Sequence, residues 1–264
     1  MKKSLGIALA ALAGGALFSA AASAQVVVGG GIEYWMTRSD YNVADEAGNT
    51  VAKGTIKYDQ PGLNLFGGKG DFIAFVNARA GDGNLDLGYA AGSIADASLG
   101  EVTTRTRITQ EDREIGLRWT ALRTERMAAY LVAGYSWTDY EEEETLTNNP
   151  GLVWNSTGTR TRRDAVQYRA PFIGVGTLTP LSERVGVRFE ARLKFFDAER
   201  EASGRPEVSD NGVGGDITSA AYLKAGNGWG LQLGGRFTHL DGGDAISAVS
   251  RWSWFAVLDY EHRF

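Results

Sequence analysis

The chain predicts an all-β fold: a transmembrane antiparallel up-and-down β-barrel of about ten strands, with eight or twelve as the alternatives if segment 54–66 or 82–103 pairs differently. Three observations lead there. The chain opens on an export leader. Its later segments alternate with a period of two, charge on one face and large apolar residues on the other. Its last strand ends on an aromatic side chain, where chain ends are usually frayed and polar.

The leader comes first. Lys2 and Lys3 precede an apolar stretch from Leu5 to Ala20, and small residues stand at Ala22 and Ala24 before Gln25. This is the three-part pattern of a secretory signal peptide over 1–24, cut after Ala24, rather than a retained membrane helix. It leaves 25–264 as a single outer-membrane β-barrel domain, without linker or internal repeat. With Lys2 and Lys3 removed, 25 of the 27 basic side chains remain against 32 acidic ones, a net charge of −7. That excess argues against nucleic acid as a partner. The chain has no Cys, so disulfides cannot stabilise it after export. No later stretch approaches 18 consecutive apolar residues, so no transmembrane helix is expected. A mean hydropathy of −0.22 suits alternating strands, whose two faces average out.

Strands are expected near 26–39, 54–66, 71–81, 104–121, 126–140, 160–178, 184–198, 217–226, 229–240 and 248–264. In the third, Phe72, Ala74, Val76 and Ala78 oppose Asn77 and Arg79. In the fourth, Ile115, Leu117 and Trp119 alternate with Glu114, Arg118 and Thr120. In the sixth, Val166, Tyr168, Ala170 and Phe172 alternate with Gln167 and Arg169. The seventh, VGVRFEARLKFF (185–196), is the clearest. Val185, Val187, Phe189, Ala191, Leu193 and Phe195 share one face, and Arg188, Glu190, Arg192 and Lys194 share the other. In the ninth, Trp229, Leu231, Leu233 and Phe237 alternate with Gln232, Arg236 and Thr238. The facing of 126–138 and 217–225 stays ambiguous. Unpaired charge cannot sit in a dry core. A barrel in lipid resolves the pattern with the apolar face outward and a polar lumen.

The connections alternate in length. Short turns are expected at 66–71, 122–125, 179–184 and 226–228, rich in Gly, Pro, Asn and Ser. Long polar loops are expected near 40–52, 82–103, 141–160, 199–216 and 241–247. An even strand count puts both chain ends on the short-turn, periplasmic side.

The last strand, WSWFAVLDYEHRF, must pair with the first if the barrel closes, and so cannot fray. Trp252, Trp254, Tyr260 and Phe264 then form the aromatic girdle and the C-terminal assembly signal. From Trp254 to Phe264, ten steps of about 3.3 Å tilted by about 40° cover roughly 25 Å, the height of the apolar band. The terminal Phe and its alternation resemble the C-terminal signature of bacterial outer-membrane proteins. That resemblance implies recognition by their barrel-assembly machinery, and a place in the outer membrane of a Gram-negative bacterium among outer-membrane lipid and lipopolysaccharide. His262 departs from the signature, which more often has an apolar residue there.

LVAGYSWTDY (131–140), VQYRAPFIGVG (166–176) and VGVRFEARLKFF (185–196), in that order and at similar spacing, resemble the omptins, ten-stranded outer-membrane proteases. The likeness covers about half of the chain after the leader and rests on wall residues. It implies peptide cleavage between basic residues by an Asp pair facing an Asp–His pair across the barrel mouth, with water as nucleophile. The catalytic His is missing from the matching stretch, DAEREASGRPEVSDNG (197–212). The chain has two histidines. His239 continues an outward face beside Asp241, and His262 lies near the periplasmic end. Asp82 and Asp86 stand where the Asp pair would fall, but AGDGNLDLG also suits turn chemistry. A Ser–His hydrolase would have to use His239 with Ser247 or Ser250, and no nucleophile motif surrounds them.

The expected lumen network is Arg79, Glu114, Arg118, Arg169, Arg188, Glu190, Arg192, Lys194, Arg236, Asp259 and Glu261. Ten strands leave little room inside, so these charges form a plug of paired groups or line a narrow solute or ion pathway. DYEEEET (139–145) reads as a solvated loop that could bind divalent cations and so bridge to lipopolysaccharide phosphates. NST (155–157) is a glycosylation site only in a eukaryotic secretory protein. No catalytic residue, metal ligand or cofactor is expected. The sequence therefore predicts a non-enzymatic surface barrel with a structural, adhesive or small-pore role carried by its long loops. The alternatives are an omptin-like endopeptidase with a rearranged site and a narrow channel.

Overall fold

The computed structural model describes residues 25–44, 50–89, 102–148, 160–202, 207–241 and 249–264. The leader expected over 1–24, the NST triplet and Ser247 lie outside the described residues. Ten strands follow in order: β1 (Val26–Ala44), β2 (Thr50–Lys69), β3 (Phe72–Tyr89), β4 (Val102–Arg123), β5 (Ala128–Asn148), β6 (Arg160–Pro180), β7 (Val185–Ala202), β8 (Val208–Lys224), β9 (Trp229–Asp241) and β10 (Val249–Arg263). Each pairs antiparallel with its neighbours in sequence, and β10 returns to pair with β1, closing the barrel. The seam runs from Val27–Arg263 to Ser39–Arg251, and the Phe264 amide donates to the Val26 carbonyl at 2.9 Å. The chain end is thus held by the wall, which accounts for its aromatic alternation.

The strands are longer than their apolar stretches. β4 has 22 residues, roughly 50–60 Å along the axis at a tilt of about 40°, against a band of about 25 Å. The excess rises on the side of the long connections. Much of what reads as loop is therefore wall: 139–145 belongs to β5, Asp82 and Asp86 to β3, and 208–216 to β8. These segments are polar because they stand above the lipid, where the outer face meets water. Cross-strand charge pairs hold them, including Arg113–Asp139 at 3.5 Å, Arg169–Glu199 at 3.6 Å and Arg163–Glu141.

Below this collar the exterior is apolar and exposed. Ile173, Val175, Leu193, Ile217 and Leu233 face outward with Trp252, Trp254, Tyr260 and Phe264. Aromatic pairs mark both edges of the band. Tyr135–Trp137 and Phe237–Trp252, with centroids 4.6 Å apart, lie toward the collar. Phe72–Trp119 and Trp229–Tyr260 lie toward the short turns. At the β8–β9 turn, Asn227 (φ 68°) and Gly228 (φ 90°) take the left-handed backbone that the reversal needs.

Inside, aromatic rings lie across glycines directly paired with them: Phe66 on Gly29, Phe75 on Gly116, Phe172 on Gly134, Tyr130 on Gly176, Tyr222 on Gly186, Phe196 on Gly212 and Phe255 on Gly234. A Cβ at any of these glycines would meet the ring. The glycines are hollows that let rings fill a narrow lumen.

Candidate functional site

Among the described residues, the charge that is buried lies in the lumen. On β7 the inward positions are Arg188, Glu190, Arg192, Lys194 and then Phe196. Arg192 is the hub. Its guanidinium lies 2.7 Å from Glu190 and 2.8 Å from Glu114 on β4, and sits over the Phe172 ring at 4.6 Å. Glu190 also accepts a hydrogen bond from the Tyr130 hydroxyl at 2.7 Å, and Arg118 lies 3.6 Å away. Lys194 pairs with Asp216 on β8 at 2.8 Å, and Arg236 on β9 donates to Thr218 at 3.1 Å. Toward the collar, Asp112 accepts from Thr138 (2.6 Å), Gln110 (2.8 Å), Gln60 (3.0 Å) and Arg79 (3.2 Å). Tyr58 donates to Gln110 at 2.6 Å, and Arg251 reaches Tyr58. Opposite charges at these distances, with hydrogen bonds to the remaining lone pairs, are what burial of ions requires.

The structure brings together Arg79, Glu114, Arg118, Arg188, Glu190, Arg192, Lys194 and Arg236. Asp259 and Glu261 face inward too, but at the short-turn mouth, bonded to Gln232 (2.8 Å) and to Arg263 respectively. Arg169 is a correction: it faces outward. Its strand is set by Ala170 and Phe172, which are buried in the lumen, with the Phe172 ring in the Gly134 hollow. Residue 169 then points out from the collar, where Glu199 pairs with it. Tyr168 correspondingly turns in, edge-on to Phe196.

Glu33, Asp112, Asp216 and Arg251 belong to the network and were not singled out in the sequence. Glu33 has a signal: it alternates with the outward Ile32, Tyr34 and Met36. Asp112 shares the face of Gln110 and Glu114. Asp216 stands at the head of a stretch whose facing the sequence leaves open.

The packed layer divides two cavities. One toward the collar, about 30 Å³ and bounded by Tyr58, Gln60 and Asp112, has room for about one water. The other, about 270 Å³, opens at the short-turn end, between Arg118, Arg188, Tyr222 and Phe255.

The protease residues fall apart. His239 faces outward with its Nδ1 2.8 Å from the Ser250 hydroxyl, and His262 is exposed, edge-on to Phe264. Asp82 also faces outward, 3.9 Å from Arg107. Asp86 lies four residues on, paired with Arg105 along the backbone. Among the described residues no cluster of His, Cys, Asp and Glu has the arrangement of a metal centre.

No family model matches the chain, and no curated protein matches it in sequence. Solved structures do. The outer membrane protease OmpT of Escherichia coli aligns over 94% of this chain and 99% of its own, with a TM-score of 0.57 and 10% identity. The translocator domain of the autotransporter NalP of Neisseria meningitidis aligns over 97% of this chain and 94% of its own (TM-score 0.39, 13% identity). The attachment invasion locus protein Ail of Yersinia pestis, in complex with a heparin analogue, aligns over 91% of this chain and 99% of its own (TM-score 0.38, 9% identity). The chain has the fold of an outer-membrane β-barrel.

Proposed function

We propose that the chain is a non-enzymatic surface barrel of a Gram-negative outer membrane, structural or adhesive, acting through its collar and outer loops. One observation carries this reading against the protease: both histidines lie on the outer surface, apart from any lumen carboxylate. A His–Asp general base has to face the bound substrate. The reading includes two partners. Lipopolysaccharide phosphates would meet the outward cations of the collar, among them Arg107, Arg113 and Arg169, through charge-assisted hydrogen bonds. The assembly machinery would read β10 and Phe264. The channel reading has less support, because the packed layer leaves about 30 Å³ on its collar side.

The test is peptide cleavage by purified barrel reconstituted with lipopolysaccharide, using substrates with paired basic residues. No turnover is expected from folded protein. Turnover lost in Asp82→Asn or Asp86→Asn would overturn the reading in favour of the protease. Stepwise conductance in planar bilayers would overturn it in favour of the channel.

A further inference from the structure

The short-turn half of the lumen holds guanidinium donors that the protein leaves without an acceptor. Arg118 and Arg188 both border the 270 Å³ cavity, and the Nε of each is buried without a hydrogen-bond acceptor. Buried polar groups in native proteins are nearly always satisfied, so these two donors, which share the cavity with the unpartnered Trp35 Nε1, Glu33 Oε1 and Asn64 Oδ1, call for a ligand or solvent to accept from them. The carboxylates at the cavity are engaged by other groups: Glu33 lies 3.8 Å from Arg79, Asp259 accepts from Gln232 at 2.8 Å and Glu261 from Arg263. Glu190 serves Arg192 at 2.7 Å and Tyr130 at 2.7 Å, with Arg118 at 3.6 Å. Among the described residues no carboxylate lies within 4 Å of the Arg188 guanidinium, and Arg118 repels it. Facing this basic side are Phe75, Phe255 and Val257. The cavity lining reaches the short-turn mouth at Lys224, Asp259 and Glu261.

We propose that this pocket binds a small organic carboxylate from the periplasmic side, with the carboxylate on Arg188 and Arg118 and the apolar body against Phe75, Phe255 and Val257. A guanidinium offers two parallel N–H donors matched to a carboxylate, which an ammonium does not. The volume, about nine waters at roughly 30 Å³ each, suits a body of about one aromatic ring. This inference is separate from what the collar does: a protease or an adhesin could carry the same pocket.

The experiment is calorimetric titration of benzoate into the folded, detergent-solubilised barrel, with heats into empty micelles subtracted. Inorganic phosphate and benzyl alcohol serve as comparison probes. One benzoate per barrel is expected, at least tenfold tighter than phosphate and with no matching heat from benzyl alcohol. Arg188→Gln should weaken benzoate at least tenfold, and Arg188→Lys should weaken it too, since it keeps the charge but loses the fork. Thermal unfolding of the unliganded Arg188→Gln barrel at or above the wild-type temperature separates lost binding from lost folding, because the variant relieves the repulsion with Arg118. Equal benzoate binding by wild type and Arg188→Gln overturns the proposal. So does phosphate binding as tightly as benzoate, which would mark simple anion attraction. So does the absence of benzoate heat in wild type.

Discussion

β6 and β7 are neighbours, share one lumen and do opposite work in it. β7 turns Arg188, Glu190, Arg192 and Lys194 inward. β6 turns in Ala170, Phe172, Gly174 and Gly176, with no charge among them. The second set makes the first possible. The stem of Arg192 lies across Gly174, and the Tyr130 ring crosses Gly176 to reach Glu190 on the far strand. A buried ionic network in a narrow barrel needs hollows as much as partners. One strand supplies the charge and the other the space.

That division can be broken from either side. The largest effect is expected from Arg192→Leu, which strands Glu114 and Glu190 without their shared cation; such a loss costs about 3–5 kcal/mol. Urea unfolding in lipid vesicles would measure it, and a cost below about 1 kcal/mol would show that the network does not depend on its hub. Next comes the outer face of β6. Val175→Arg places a charge in the middle of the lipid-facing band and should cost about 2–4 kcal/mol, read by the same unfolding transition. Gly176→Val tests the hollow. It pushes a side chain into the Tyr130 ring and should cost about 1–3 kcal/mol. A double-mutant cycle with Tyr130→Phe would show whether the loss runs through the Tyr130–Glu190 bond. The smallest effect is expected at Arg169→Gln, on the exposed collar of β6, within about 0.5 kcal/mol of wild type. A large loss there would mean that residue 169 does face the lumen.

The same two strands show what the sequence could reveal. On β7 the inward residues from Arg188 to Lys194 are all charged and the outward ones from Val185 to Phe195 all apolar, so hydrophobicity labels the faces correctly. On β6 the inward face is aromatic and small, and the outward face turns from apolar to Arg169 as it leaves the lipid. Polarity then reports height above the membrane rather than side of the wall, and the facing of Arg169 inverts. Height also hid the strand lengths. Above the band, alternation of apolar with charged gives way to charge on charge, as at Glu141–Glu143, and a strand there looks like a loop. The strand count, the short turns and the terminal seam were legible because each rests on a local pattern. The partners of the lumen charges, Asp216 and Asp112 among them, were not, since pairing across a barrel depends on register between distant segments.

The ring-on-glycine pairs have a distribution of their own. All seven join β1 to β2, β3 to β4, β5 to β6, β7 to β8 or β9 to β10. None joins two strands linked by a short turn. A tight turn dictates how its two strands align, and a long connection does not. Sliding β6 by two residues against β5 would lay Phe172 on Val132 or Ser136 instead of Gly134. The alignment of the outer hairpins is therefore written into the wall itself. Their loops are relieved of that duty, and can be lengthened, shortened or exchanged while the barrel beneath them keeps its shape.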